Sequence, residues 1–195
     1  MSYSLESTSS DCYAGTTVLK NKLNIQNEKE LNDIEAVVTA YRSAEYLCNS
    51  TNSSFDYFHY CEIHKYLFED IYEWAGEIRK IDISKKGTIF HRAENLERDT
   101  KALFLYLKDE NYFLNLNHNE FCDKIAEFFH DLNILHPFRE GNGRTERLFI
   151  TKLIQNAGYE IDFSEIDEDL LMIATIHAAN GVLDYLKEIF NLHIV

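Results

Sequence analysis

The sequence predicts a mostly α-helical single domain carrying one small β-hairpin, and three observations lead there. Only one proline and seven glycines interrupt 195 residues, so helices meet few breakers. Apolar residues recur at steps of three and four through most of the chain, the period of one helix face. Near residues 81–90 the period switches to two, as a strand requires. Apolar residues make up 45% of the chain, with 13 Phe and 12 Tyr, enough to fill one core.

The elements follow in order. Residues 1–12 are Ser-rich and read as a flexible N-terminus, which places the folded domain at 13–195. A short element runs from Tyr13 to Ile25. Asn27 with Glu30 resembles a capping box and opens a helix over about 28–48, with Leu31, Ile34, Val38 and Tyr41 on one face. The polar stretch Asn49 to Asp56 ends it. Tyr60, Ile63, Leu67, Ile71 and Trp74 predict a second helix that stops near Gly76. Ile81 and Ile83 alternate with Asp82 and Ser84, and a Lys85-Lys86-Gly87 turn leads into Thr88-Ile89-Phe90, hence the hairpin. Helical spacing returns at Leu96, Thr100, Leu103 and Leu107. A second capping box, Asn117 with Glu120, opens a helix that presents Phe121, Ile125, Phe128, Leu132 and Leu135 on one side. The chain breaks at 136–143, resumes as a helix from about Gly143 to Ala157, and closes with amphipathic segments at about 164–179 and 182–192.

Charge narrows the function classes. A formal net charge of −14 disfavours nucleic acid or an anionic membrane as a partner, because phosphate backbones reward a basic surface. No run of 18 apolar residues occurs, and the polar N-terminus lacks the basic and apolar regions of a signal peptide, so a cytoplasmic protein is expected. Export into a host cell by a specialised route stays open. Cys12, Cys48, Cys61 and Cys122 fit neither zinc-knuckle nor redox spacing and read as scattered thiols.

The chemistry concentrates in the interruption before the fifth helix. Gly141-Asn142-Gly143 precedes a helix start, where positive φ and successive N–H groups form a cradle for phosphate. Arg144 and Arg147 lie three apart on one face and can reach phosphates beyond it. Glu140 offers an oxygen ligand where a Mg²⁺ bridging phosphates would want one. His136 titrates near neutrality and suits a general base. Phe138 is the apolar residue in a polar loop and reads as its pin into the core. Gly-Asn-Gly alone marks no more than a helix corner. A base, a metal ligand, an anion nest and two cations within twelve residues mark a phosphate site.

These twelve residues, His136 to Arg147, resemble the signature of the Fic family, His-x-Phe-x-(Asp/Glu)-Gly-Asn-Gly-Arg-x-x-Arg, at every specified position. Leu67 to Gly76 followed by Ile81 to Lys85 looks like the helix and "flap" hairpin that precede that motif. Tyr13 to Lys22 looks like the lead-in of many bacterial members, with Ala14 where proline is more usual. The resemblance implies a single Fic-type helical domain that transfers AMP from ATP, with Mg²⁺, onto a Ser, Thr or Tyr hydroxyl of a target protein. His136 would take the hydroxyl proton, and Glu140 would bind the metal. Gly141, Asn142 and Gly143 would cradle the phosphates, and Arg144 and Arg147 would pair with the β- and γ-phosphates. Gly87, Thr88, Ile89 and Phe90 of the flap, together with Phe138, Arg139, Lys20 and Asn21, complete the expected nucleotide-binding set. The target would dock along the flap as an added strand.

The same fold could instead move UMP, phosphocholine or phosphate, or serve as a non-catalytic interaction module. The phosphorylating branch of the family departs at the second glycine of the cradle, and Gly143 is present here, which favours AMP. Many members are silenced by a helix bearing Ser/Thr-x-x-x-Glu-Gly/Asn. Ser164-x-x-x-Glu168 comes nearest but is followed by Asp169. A small antitoxin-like inhibitor acting in trans is therefore expected.

Overall fold

The computed structural model describes residues 11–49, 54–85 and 88–195. Gly87 and the first ten residues, on which part of the expected flap turn and N-terminus fall, lie outside this range. Seven α-helices occur among the described residues: α1 (Glu28–Asn49), α2 (Tyr57–Phe68), α3 (Ala93–Asp109), α4 (His118–Leu135), α5 (Asn142–Asn156), α6 (Glu168–Ala179) and α7 (Asp184–His193). Strands β1 (Ser84–Lys85) and β2 (Thr88–Ile89) pair antiparallel, Ser84 opposite Ile89 and Lys85 opposite Thr88. The fold is thus mostly α with one small hairpin, shorter than the alternation at 81–90 predicted. Asp11 and Cys12, within the stretch expected to be flexible, are held in place: Cys12 bridges Leu19 antiparallel, and the Lys20 N–H donates to the Asp11 carbonyl at 2.8 Å.

Local chemistry sets the helix limits. Asn117 accepts from the Glu120 N–H at 3.1 Å while the Glu120 carboxylate accepts from the Asn117 N–H at 3.4 Å, so both halves of the α4 capping box form. At the far end His136 turns left-handed (φ 46°), and Pro137 cannot continue the helix. The expectation for α2 is corrected. It ends at Phe68, and residues 69–76 run through tight turns in which the Ile71 and Tyr72 N–H groups both donate to the Phe68 carbonyl at 2.9 Å. Ile71 and Tyr72 are still buried. Consecutive turns thus bury side chains at the same spacing a helix would, and periodicity cannot tell them apart. The segment expected at 164–179 also divides. A short 3₁₀ turn (Phe163–Glu165) stands apart from α6, which Asp167 caps by accepting from the Leu170 N–H at 2.8 Å.

The core lies among α2, α3, α4 and α5. Tyr60 packs against Phe104 and Phe138 with ring centroids 5.3 Å away and meets Phe149 edge-on at 5.5 Å. Such aromatic pairs add about 0.5–1.5 kcal/mol each beyond burial. Because Phe138 belongs to the loop between α4 and α5, this cluster holds the loop as firmly as it holds the helices.

Candidate active site

The α4–α5 loop is fixed from below by three side chains. Phe138 is completely buried, with its ring stacked 3.8 Å from that of His64 on α2. It therefore acts as the expected pin and does not border the cavity described below. His64 accepts from the Gly76 N–H at Nδ1 (2.8 Å), so its Nε2 must carry the proton and donate to the Glu140 carbonyl (3.0 Å). Protonating Nδ1 would set two donors against each other. Burial pushes the His64 pKa down to about 3, and the nearby Arg144 charge adds to this against the opposing Glu140 carbonyl. Asn142 closes the loop on itself: its side-chain oxygen accepts from the Phe138 N–H and its amide donates to the Phe138 carbonyl, both at 2.7 Å. That side chain is a staple, so any share Asn142 has in the expected phosphate cradle falls to its backbone N–H at the start of α5.

The two glycines differ. Gly141 has φ 77°, and a Cβ there would lie 2.2 Å from the buried Phe68 ring, so only glycine fits. Gly143 lies inside α5 with ordinary helical backbone, contrary to the positive φ expected of it. A Cβ at Gly143 would meet the Arg147 guanidinium at 3.3 Å. The first N–H groups of α5 have no preceding turn to bond to, the arrangement in which a helix N-terminus is able to take an anion.

His136 presents the chemistry of a base. Its Nδ1 faces the Asn133 carbonyl at 3.1 Å, so Nδ1 carries the proton and the lone pair sits on Nε2. Burial holds the ring neutral, lowering its pKa to about 3, with Lys85 and Arg79 adding repulsion against protonation. This corrects the expected titration near neutrality: the imidazole is in its neutral, proton-accepting form but is a weaker base than an exposed one. Phe90, which follows β2, stacks on the His136 ring at 3.7 Å and 11°. Sequence reasoning missed Arg79. It is buried and donates from Nε to the His136 carbonyl at 2.8 Å and from Nη1 to the Ile81 carbonyl at 2.6 Å.

The cations are not equivalent. Arg144 pairs with the buried Glu35 of α1, a residue sequence reasoning also missed, and its guanidinium stacks over Phe68 at 4.8 Å. The Tyr72 hydroxyl donates to the other Glu35 oxygen. Arg147, by contrast, makes no ion pair within 4.0 Å among the described residues. Burial pushes its pKa down, while Glu146 and Glu168 support the charge. Arg139 is buried and pairs with Asp11 at 3.2 Å. Glu140 accepts from the Gly141 N–H at 2.9 Å and lies 3.7 Å from Arg144. No group of three or more His, Cys, Asp or Glu among the described residues could cage a metal. A single carboxylate beside a phosphate cradle nevertheless fits Mg²⁺, which binds through one or two carboxylates plus substrate phosphates.

One cavity of about 830 Å³ joins these groups, the size of a site that encloses a nucleotide. His136, Glu140, Gly143, Arg144 and Arg147 line it, with Arg139 and Gly141 beside them and Thr88 and Phe90 over the base. Besides the Asn142 staple, four expected residues among those described do not border it. Lys20 is exposed, Ile89 is 80% exposed, Phe138 is buried beneath the loop, and the Asn21 side chain is spent on the Leu19 and Ile25 backbone. The lead-in contributes Thr17, Val18 and Leu19 instead.

The geometry has counterparts among known proteins. A model of the Fic/DOC family matches residues 54–154. A Sinorhizobium fredii protein named probable protein adenylyltransferase y4lH is 37% identical over 173 residues, 88% of each chain. The N-terminal Fic domain of a VirB-translocated Bartonella quintana effector, solved with bound ADP, superposes with TM-score 0.90 at 32% identity, covering 95% of this chain and 94% of that one. BepC from Bartonella tribocorum, solved with bound AMPPNP, gives TM-score 0.90 at 30% identity over 95% and 96% of the two chains.

Proposed function

The chain belongs to the Fic/DOC family, and from that premise we propose that His136 serves as the base by which it moves AMP from ATP onto a hydroxyl side chain of a protein. One observation carries the reading: a single cavity is lined by the neutral imidazole, the helix N-terminus after Gly141 and both arginines. The target hydroxyl attacks the α-phosphorus, its proton passes to His136 Nε2, and the bond to pyrophosphate breaks. The N–H groups at the start of α5 hold the phosphates in line. Arg147 meets the chain of phosphates with no ion pair within 4.0 Å among the described residues, and Arg144 does so while tied to Glu35. Positioning and charge neutralisation supply most of the catalysis in such transfers. Glu140 would hold Mg²⁺ together with the phosphates, and the metal would spread the charge that develops on the leaving pyrophosphate. The target lies along the β1–β2 hairpin as an added strand, a backbone pairing nearly blind to sequence.

Incubation with labelled ATP, Mg²⁺ and cell lysate tests this. Label from the α-phosphate should appear on protein, and His136→Ala should lower its rate at least about a hundredfold, the lower range for a lost general base. Label arriving from the γ-phosphate would identify a kinase instead, and equal labelling by the variant would remove His136 from the chemistry.

Control falls to a separate small inhibitory protein. Ser164 lies in the 3₁₀ turn and Glu168 opens α6, so the nearest match to the intrinsic inhibitory pattern does not share one helix. Purified chain that stays inert until one of its own segments is deleted would overturn an inhibitor in trans.

A further inference from the structure

We propose that Arg79 is a positioning residue that couples the flap to the catalytic base. The chain enters the hairpin through Ile81 and leaves through His91, and one buried guanidinium addresses both carbonyls: Nη1 donates to Ile81 at 2.6 Å, and Nη2 donates to His91. The same group reaches the backbone that carries the base. Nε donates to the His136 carbonyl at 2.8 Å and Nη2 to the Leu135 carbonyl at 3.2 Å. The Arg79 backbone N–H adds a bond to the Pro137 carbonyl at 2.9 Å, and the His91 N–H donates to the Ile134 carbonyl at 2.9 Å.

Four diverging carbonyls demand a planar fork with donors on three nitrogens, which arginine has and lysine lacks. Two of the four belong to the end of α4, where the helix dipole favours a cation. His136 itself is held at φ 46°, a conformation that a non-glycine residue keeps only when its surroundings impose it. Arg79 supplies part of that imposition, and the ring then stacks on Phe90 of the flap. A target laid on the hairpin thereby meets the base in a fixed register. The phosphate cradle has separate supports, the Asn142 staple on Phe138 and the His64 bridge to Glu140, so nucleotide binding should not depend on Arg79.

The test compares the wild-type chain with Arg79→Lys; only its rate arm rests on the adenylyl-transfer reading. Hydrogen exchange at the Phe90 and His91 amides should quicken by about tenfold or more, while the affinity for ADP stays within about twofold. Transfer of α-label should show kcat lowered about tenfold or more at unchanged KM for ATP, the pattern of a group that acts through the base. Unchanged exchange at these amides overturns the proposal, and so does ADP affinity falling in step with activity, which would mean general loosening. Should the variant not fold, the Arg79 Nε–H of the wild type can be followed by NMR: protection matching the His91 amide supports the coupling, and exchange as fast as in a free arginine ends it. A wild type that moves no α-label sinks the adenylyl reading but leaves the exchange and ADP measurements standing.

Discussion

Gly141 and Gly143 look alike in the motif and do different work, so alanine should separate them. At Gly141 an alanine would adopt φ 77° and drive its Cβ to 2.2 Å from a fully buried ring. Left-handed strain and the displaced Phe68 together should cost about 3 kcal/mol or more, read as a lowered urea midpoint. Gly143→Ala meets only the end of a flexible side chain, and alanine suits a helix better, so stability should hold or rise by up to about 1 kcal/mol. The methyl group would nevertheless sit beside Arg147 at the cavity wall, and ADP affinity should fall about tenfold in calorimetry. A stable variant with unaltered ADP affinity would show that Gly143 faces no phosphate. The motif residues were legible because their chemistry is local, a base, a carboxylate, cations and glycines within twelve positions. His64, Arg79 and Glu35 were not, since each acts on the site from 56 or more residues away in sequence: Arg79 binds the Leu135 carbonyl at a separation of 56, His64 binds Glu140 at 76, and Glu35 binds Arg144 at 109. No spacing rule within one sequence announces such partners.

Among the elements, α1 has a role that its helical pattern did not disclose. Its apolar stripe predicted only packing, yet it carries Glu35 to Arg144 at the cavity wall. Glu35 divides its oxygens between Arg144 and the Tyr72 hydroxyl, in the turns that follow α2. The carboxylate thus steadies Arg144 at the cost of placing a negative charge near incoming phosphates. Glu35→Gln keeps the shape and an acceptor while removing that charge, so ADP should bind about fivefold tighter by the Coulomb energy released at short range. Weaker binding would mean that steadying Arg144 outweighs repulsion. Helix existence was legible for every long amphipathic segment, because burial of one face repeats at helical spacing. The end of α2 and the split before α6 were not, since turns and cap residues bury and expose side chains at similar intervals.

For the molecule as a whole, the buried titratable groups set a stability maximum near neutrality. His64 and His136 are both held neutral with pKa values of about 3. The unfolded chain binds their protons below about pH 6.5 and the native state does not, so stability falls as pH drops through that window. Each histidine contributes a slope of about 1.4 kcal/mol per pH unit there. Glu146 acts in the opposite sense. Burial raises its pKa well above the ordinary value, so the native state retains a proton that the unfolded chain has lost, and stability declines as pH rises until that native carboxyl ionises. His130 and Asp131, half-buried neighbours, shift in opposite directions, the histidine down and the carboxyl up, each mainly by burial. Between about pH 4.5 and 6.5 two histidines outweigh one glutamate. Above that window the glutamate acts first, and the Cys61 and Cys122 thiols, pushed up to about 11 by burial, join it only as the pH nears their ordinary range. Urea midpoints measured from pH 5 to 8 should therefore peak near pH 6.5, by the ordinary histidine pKa. Glu146→Gln should leave the acid limb intact and flatten the alkaline one. A midpoint unchanged from pH 5 to 6.5 would mean that His64 and His136 accept protons in the native state, and the donor-to-donor conflict at His64 Nδ1 would then have to be relieved by movement of the Gly76 turn.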